Sequence, residues 1–192
     1  MTREEAAKGQ LETAIWLWFH RDDERTVSDA VSIHTLATAA QGVLMSIARD
    51  KKVEPSGLVK LMKKAPQVIR NPQNFFKHGD YTGLPKHKTV SHSPDLTDMI
   101  LADNIGTYSR LFGTSTPLMD LFLLRYSWSF PESKVSLKTL EIELAKRIKI
   151  KEAARLSRIR FLEILLPLIV EITAVGRAAY AKKMFHSGNP PE

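Results

Sequence analysis

Val31-Ser32-Ile33-His34-Thr35-Leu36-Ala37-Thr38-Ala39-Ala40-Gln41-Gly42-Val43-Leu44-Met45-Ser46-Ile47 decides the fold class. Its apolar members Ile33, Leu36, Ala37, Ala40, Val43, Leu44 and Ile47 recur at the spacing of a helix with one buried face. The alanines favour helix and allow a neighbouring helix to approach closely. Ser28 and Asp29 stand ahead of the stripe as capping residues. His34, inside the apolar face, reads as a hydrogen-bonded core histidine. Upstream, Leu11, Ala14, Ile15, Trp18 and Phe19 draw a second stripe, ended by the charged run from Arg21 to Arg25. Trp16 and Trp18 ride that helix and read as core side chains, with His20 on the surface.

The same period continues downstream. Pro55 opens a short helix through Leu58, Leu61 and Met62, and Pro66 closes it. Gly79 to Pro94 is a loop, with Gly79, Gly83, Pro85 and Pro94 among polar residues. Helices are predicted from about Asp95 to Phe112 and from about Pro117 to Phe130, with Gly113 between them and Pro131 as the stop. Residues 134 to 160 read as one basic helix or two, turning Leu137, Leu140, Leu144 and Ile148 inward. A last helix to about Phe185 takes its apolar face from Leu162, Leu165, Leu166, Ile169, Ile172 and Val175. Pro167 either kinks it or marks its start. Strand signals are nearly absent, and no solenoid period appears. The expected architecture is therefore all-α: a helical core over residues 1–133, a basic helical extension over 134–185 packed on it, and a flexible tail over 186–192.

Composition bounds the function. The 192 residues, 21.7 kDa, are 43% hydrophobic and 26% charged, an ordinary globular balance. With no cysteine, a disulfide scaffold, a thiolate zinc site and a thiol nucleophile are excluded, and a cytoplasmic location is expected. The first ten residues carry two glutamates and no apolar run, unlike an export signal. Phe161 to Val175, the most apolar stretch, is broken by Glu163 and Glu171, so no membrane span is expected.

The formal charge is +7 and the pI near 9.6. Residues 1–48 hold four basic and seven acidic side chains, and residues 49–92 ten and three. Residues 93–133 hold two and five, and residues 134–185 twelve and five. Two basic blocks thus alternate with two acidic ones. Concentrated Lys and Arg supply the sequence-independent attraction to phosphates on which nucleic-acid binding is built. Lys86 and Lys88 of the first block, with Lys146, Arg147, Lys149, Lys151, Arg155 and Arg158 of the second, are the candidate phosphate contacts. The same residues also suit the solvated face of a long helix.

One group carries chemistry. Arg70-Asn71-Pro72-Gln73-Asn74-Phe75-Phe76-Lys77-His78-Gly79-Asp80 brings an amide, a cation and an imidazole together beside a basic loop. On a helix Asn74 and His78 share a face at i, i+4. Such a group suits a phosphodiester: the imidazole moves a proton near neutral pH, a cation stabilises charge on the phosphate oxygens, and the amide orients them.

With Leu11-Glu12-Thr13-Ala14-Ile15 and Val31-Ser32-Ile33-His34-Thr35-Leu36-Ala37 upstream, the Asn74-x-x-Lys77-His78 group resembles bacterial HEPN-type helical proteins, over roughly residues 8 to 110. The resemblance implies an Arg, then a polar residue, then a His, paired across a homodimer to cleave RNA without metal or cofactor. Other family members are degenerate and act as interaction partners, in toxin–antitoxin, phage-defence or mobile-element settings. On this chain His78 would be the general acid/base, Asn74 the orienting amide, and Arg70 or Lys77 the phosphate cation. The motif Arg would fall at Gln73, and a neutral amide does not replace guanidinium charge on a phosphate.

Other constellations are weaker. His78, Asp80, His87 and His92 carry donor atoms but match no compact zinc spacing, so no metal is assigned. Phosphate-binding glycine loops, the nucleophile elbow and the HExxH helix are absent from the sequence. The expected partner is RNA or another nucleic acid, with a protein partner as the alternative. A regulator that binds DNA or RNA without chemistry is a third reading, resting on residues 134–160.

Overall fold

The computed structural model describes residues 1–21, 27–54, 93–133 and 137–187, all-α with no strand among them. Among the described residues seven helices follow in order: α1 (Arg3–His20), α2 (Val27–Asp50), α3 (Pro94–Phe112), α4 (Pro117–Ser129), α5 (Lys138–Ala145), α6 (Ile150–Ala153) and α7 (Arg158–Ser187). They fall into two compact units, Met1–Met119 and Asp120–Glu192. Most of α4, which the sequence reading grouped with the helices before it, belongs to the second unit. The helix expected from Pro55 to Pro66 lies outside the described residues, as does all of the loop before Ser93.

In the first unit α1 packs on α2 and α3, and α2 packs on α3. Thr2 starts α1 by accepting the Glu5 N–H at 3.1 Å, while the Glu5 carboxylate accepts the Thr2 N–H at 2.6 Å. Two otherwise orphaned donors are thereby satisfied. The first stripe is buried as expected, through Leu11, Ala14, Ile15, Trp18 and Phe19. Trp16 departs from expectation: it is 47% exposed and stacks on His20, with ring centroids 4.1 Å apart. It lies one helical step outside the buried face, about 160° round the helix from Trp18 although only two positions away.

α2 begins at Val27, so Ser28 and Asp29 stand within its first turn and not ahead of it. Ile33, Ala37, Ala40, Leu44 and Ile47 are buried, while Leu36 and Val43 at the edges of the stripe are half-buried. Residues 29–50 are long and apolar enough to cross a membrane, yet half of that stretch is buried within the protein. Its buried face also carries His34, Thr38 and Gln41, as suits a core helix. Pro94 occupies the first turn of α3, where its missing N–H costs nothing. Gly113 ends that helix at φ +69°, a left-handed conformation glycine adopts without Cβ strain, and its N–H donates to Ser109 O at 2.8 Å.

Polar side chains tie the three helices together at fixed positions. Adjacent residues on α3 reach different neighbours: the Asp98 carboxylate accepts Trp18 Nε1–H of α1 at 2.7 Å, and Thr97 Oγ1 bonds His34 Nδ1 of α2 at 2.9 Å. Two turns on, Asn104 Nδ2 donates to Ala37 O of α2 at 2.7 Å. All of these side chains are buried, so each bond is shielded from competing water. His34 is thus the core histidine that its place in the stripe predicts.

Tyr108, buried on α3, has its phenol pushed above the ordinary value by burial, then by the nearby charges of Glu4 and Glu12 and a hydrogen bond to Glu4. The folded state therefore holds this proton more tightly than the unfolded chain. The resulting stability is complete below the phenol's ordinary value near 10 and is lost as pH rises through the folded one. Tyr108→Phe should flatten the fall of stability above about pH 10. Urea midpoints of parent and variant from pH 8 to 11 check this, and parallel curves would refute it.

In the second unit α5 packs on α7. Phe122, Leu144, Phe161, Leu165 and Ile169 are buried there. α7 runs through Pro167 without a break, so that residue is interior to the helix and does not start it. It also continues through His186 and Ser187, two residues into the expected tail. Leu162, Leu165 and Ile169 face inward as predicted, but Val175 is 62% exposed.

Candidate nucleic-acid interface

The basic stretch of the second unit is two short helices joined by tight turns. Leu137, Leu140, Leu144 and Ile148 could extend one helical face, yet α5 stops at Ala145 and only Leu144 is fully buried. The chain turns through Lys146 to Lys149, forms the single turn of α6, and turns again before α7. Arg125 of α4 holds the second break open. Its guanidinium donates to Ala154 O at 2.7 Å and to Leu156 O at 3.0 Å, carbonyls left without partners where α6 ends. The same guanidinium lies 5.0 Å from the centre of the Phe161 ring. Trp128 fixes the first helix by donating Nε1–H to Glu141 Oε1 at 3.0 Å. Its indole also meets Phe161 edge-on at 5.6 Å.

This frame sets the candidate cations out along the turns. Lys146 pairs with Glu143 at 2.6 Å, Arg147 with Glu171 at 2.7 Å, and Lys149 with Glu152 at 3.0 Å. Arg160 pairs with Glu163 at 2.6 Å. Arg158, half-buried at the start of α7, is engaged within the fold. Lys151 on α6 and Arg155 just after it are exposed and have no carboxylate partner among the described residues. The i, i+3 spacing of three of these pairs was readable from sequence; Arg147–Glu171, which joins the turn to α7, was not. Nor was Arg125, the residue that organises the turns, because nothing local marks a cation that bonds carbonyls thirty positions away.

These pairs bear directly on what the surface can do. Exposed ion pairs are worth roughly 0–1 kcal/mol each, so a phosphate backbone can take over a cation from its glutamate at small cost. Lys151 and Arg155 are the exposed cations of these turns without a carboxylate partner among the described residues.

A groove of about 740 Å³ opens between α5 and α7. Leu137, Leu140, Ile172 and Val175 supply its apolar wall. Lys138 and Arg147 are matched by Asp120 and Glu143 around its rim, so it does not concentrate positive charge. Among the described residues no group of three or more His, Asp or Glu is placed to hold a metal ion. Arg70, Asn74, Lys77, His78, Lys86 and Lys88, with Gln73, lie outside the described residues, as do His87, His92 and Asp80.

Compared with known protein families, curated proteins and solved structures, the chain matches none.

Proposed function

We propose that this chain is a cytoplasmic RNA-binding helical protein that cleaves RNA without metal, in a toxin or phage-defence role. The observation that carries the reading is the pairing of one acid/base group in the sequence, Asn74 with Lys77 and His78, with basic blocks on either side. The turns around α6, where Lys151 and Arg155 stand exposed, support it as a place for a phosphate backbone.

The chemistry needs only the substrate's own nucleophile. His78 takes the proton of a ribose 2′-hydroxyl, the 2′-oxygen attacks the adjacent phosphorus, and the bond to the 5′-oxygen breaks. That oxygen leaves with a proton that the His78 imidazolium returns through solvent, giving a 2′,3′-cyclic phosphate and a 5′-hydroxyl and restoring the neutral imidazole. Arg70 or Lys77 stabilises charge on the non-bridging oxygens. DNA lacks the 2′-hydroxyl and is inert to this route.

Gln73 favours a second reading, a catalytically inactive interaction module, because the family resemblance calls for arginine at that position. Incubating RNA with the protein in EDTA separates the two. Cleavage by the parent that is lost in a folded His78→Ala variant, with DNA left intact, supports the nuclease. Cleavage gained only in Gln73→Arg marks an inactive site on the right scaffold. Silence from all three moves the function to binding alone. In parallel, Lys151→Glu with Arg155→Glu should weaken RNA retention about tenfold at low salt, as expected for phosphate contacts. Unchanged retention would remove the second basic block from the interface.

A further inference from the structure

α7 carries apolar residues on both sides, and among the described residues only one side is covered. Phe161, Leu162, Leu165 and Ile169 are buried. Ile164, Pro167, Val170 and Ala174 form a stripe on the opposite side, all exposed, with Ile164 at 39% and Val170 at 47%, while Val175, 62% exposed, lies between the two faces at the lip of the groove. A helix that is apolar all round is normally covered all round.

The charges along this stripe select what covers it. Arg160 and Glu171 are eleven residues apart, about three turns, and so stand on the same side of the helix, roughly 16 Å apart along the axis. Each heads an ion pair: Arg160 with Glu163, and Glu171 with Arg147. Two antiparallel copies of α7, related by a twofold axis between residues 165 and 166, bring each Arg160 against the other copy's Glu171. The pairs then merge into an alternating row, from Glu163 through Arg160 to Glu171 of the partner subunit and Arg147 of the partner subunit. Ile164 faces Pro167 of the partner subunit between the two rows. Such a contact is isologous and complementary in sign.

We propose that a second copy of this chain docks on the exposed face of α7 in this antiparallel register. The contact covers about three turns, less than the roughly 800 Å² per partner of a standard interface, so the pairing is reversible. It rests on α7 alone and not on the nuclease reading, and its test reads mass and cross-linking, not cleavage.

The chain has no cysteine, so a single introduced one is unique. About the proposed axis two copies of position 164 are offset along the helix by about 4.5 Å, and two copies of position 175 by about 28 Å. Under mild oxidation Ile164→Cys should form disulfide-linked dimer about tenfold faster than Val175→Cys, given the reach of the bond. Equal rates, or the reverse order, would overturn the register. Charge reversal gives an independent reading by sedimentation equilibrium. Arg160→Glu and Glu171→Arg alone each place like charges together twice and should self-associate at least about tenfold more weakly than the parent. Mixed, the two variants form complementary pairs and should associate within about threefold of it. A parent that stays monomeric to about 100 μM, or a mixture no stronger than its components, would overturn the proposal.

Discussion

Asp98→Ala should lower the unfolding free energy by about 3 kcal/mol, because it removes a buried hydrogen bond to a charged group and leaves an indole N–H without its acceptor. Trp18 Nε1–H meets the Asp98 carboxylate at 2.7 Å, and both residues are buried between α1 and α3. The cost divides into a lost bond and a stranded donor, and the variants can separate these. Asp98→Asn keeps an acceptor oxygen of the same shape and should lose only about 1 kcal/mol. Trp18→Phe takes the indole donor from the carboxylate instead and opens a small cavity, for about 2 kcal/mol. Once either partner has gone, removing the other costs less, so the double variant should fall short of the sum by 1–2 kcal/mol, the order found for contacting pairs. Urea denaturation of the four proteins gives the cycle. Additive losses, or equal losses for Ala and Asn, would show that the pair does not lock the helices.

The stripes that built this unit were visible in the chain, and the locks between them were not. Leu11, Ala14, Ile15, Trp18 and Phe19 lie on one helical face by spacing alone, and all are buried. Pro94 and Gly113 similarly announce the two ends of α3 through the φ each one prefers. Asp98 reads as an ordinary surface residue of an amphipathic helix, since its partner is eighty positions away. The reading of Trp16 failed for the converse reason: an aromatic one step off the buried face looks like its neighbour on that face. Val175 is six positions past Ile169, about 120° round the helix from it, so it leaves the buried face although it extends the same apolar run. On α7, apolar residues occupy both sides, so the pattern could not say which one the fold would use.

The candidate site divides along the same line. The acidic partners of Lys146, Lys149 and Arg160 stand three positions away, where helical geometry places them in reach, so the partial neutralisation of this basic block was legible. The turns that hold Lys151 and Arg155 at the surface were not. They depend on Arg125 satisfying the carbonyls of Ala154 and Leu156, a contact with no local signature.

Those turns rest on a core aromatic. Phe161 is fully buried, edge-on to Trp128 and beneath the Arg125 guanidinium. Phe161→Ala should cost about 4 kcal/mol, the range for a truncated core aromatic, while Phe161→Leu, which refills most of the space, should cost 1–1.5 kcal/mol. The loss falls on two contacts at once, because the ring supports both the indole that holds Glu141 of α5 and the guanidinium that caps α6. The turns carrying Lys151 and Arg155 should therefore loosen, and RNA retention should weaken along with stability. Asp98→Ala, which acts on the first unit, supplies the control: at a temperature where both variants remain folded by circular dichroism, it should leave retention near that of the parent. Equal retention by the two would mean that the basic turns need no fixed geometry to hold a phosphate backbone, and that the second block acts through its charge alone.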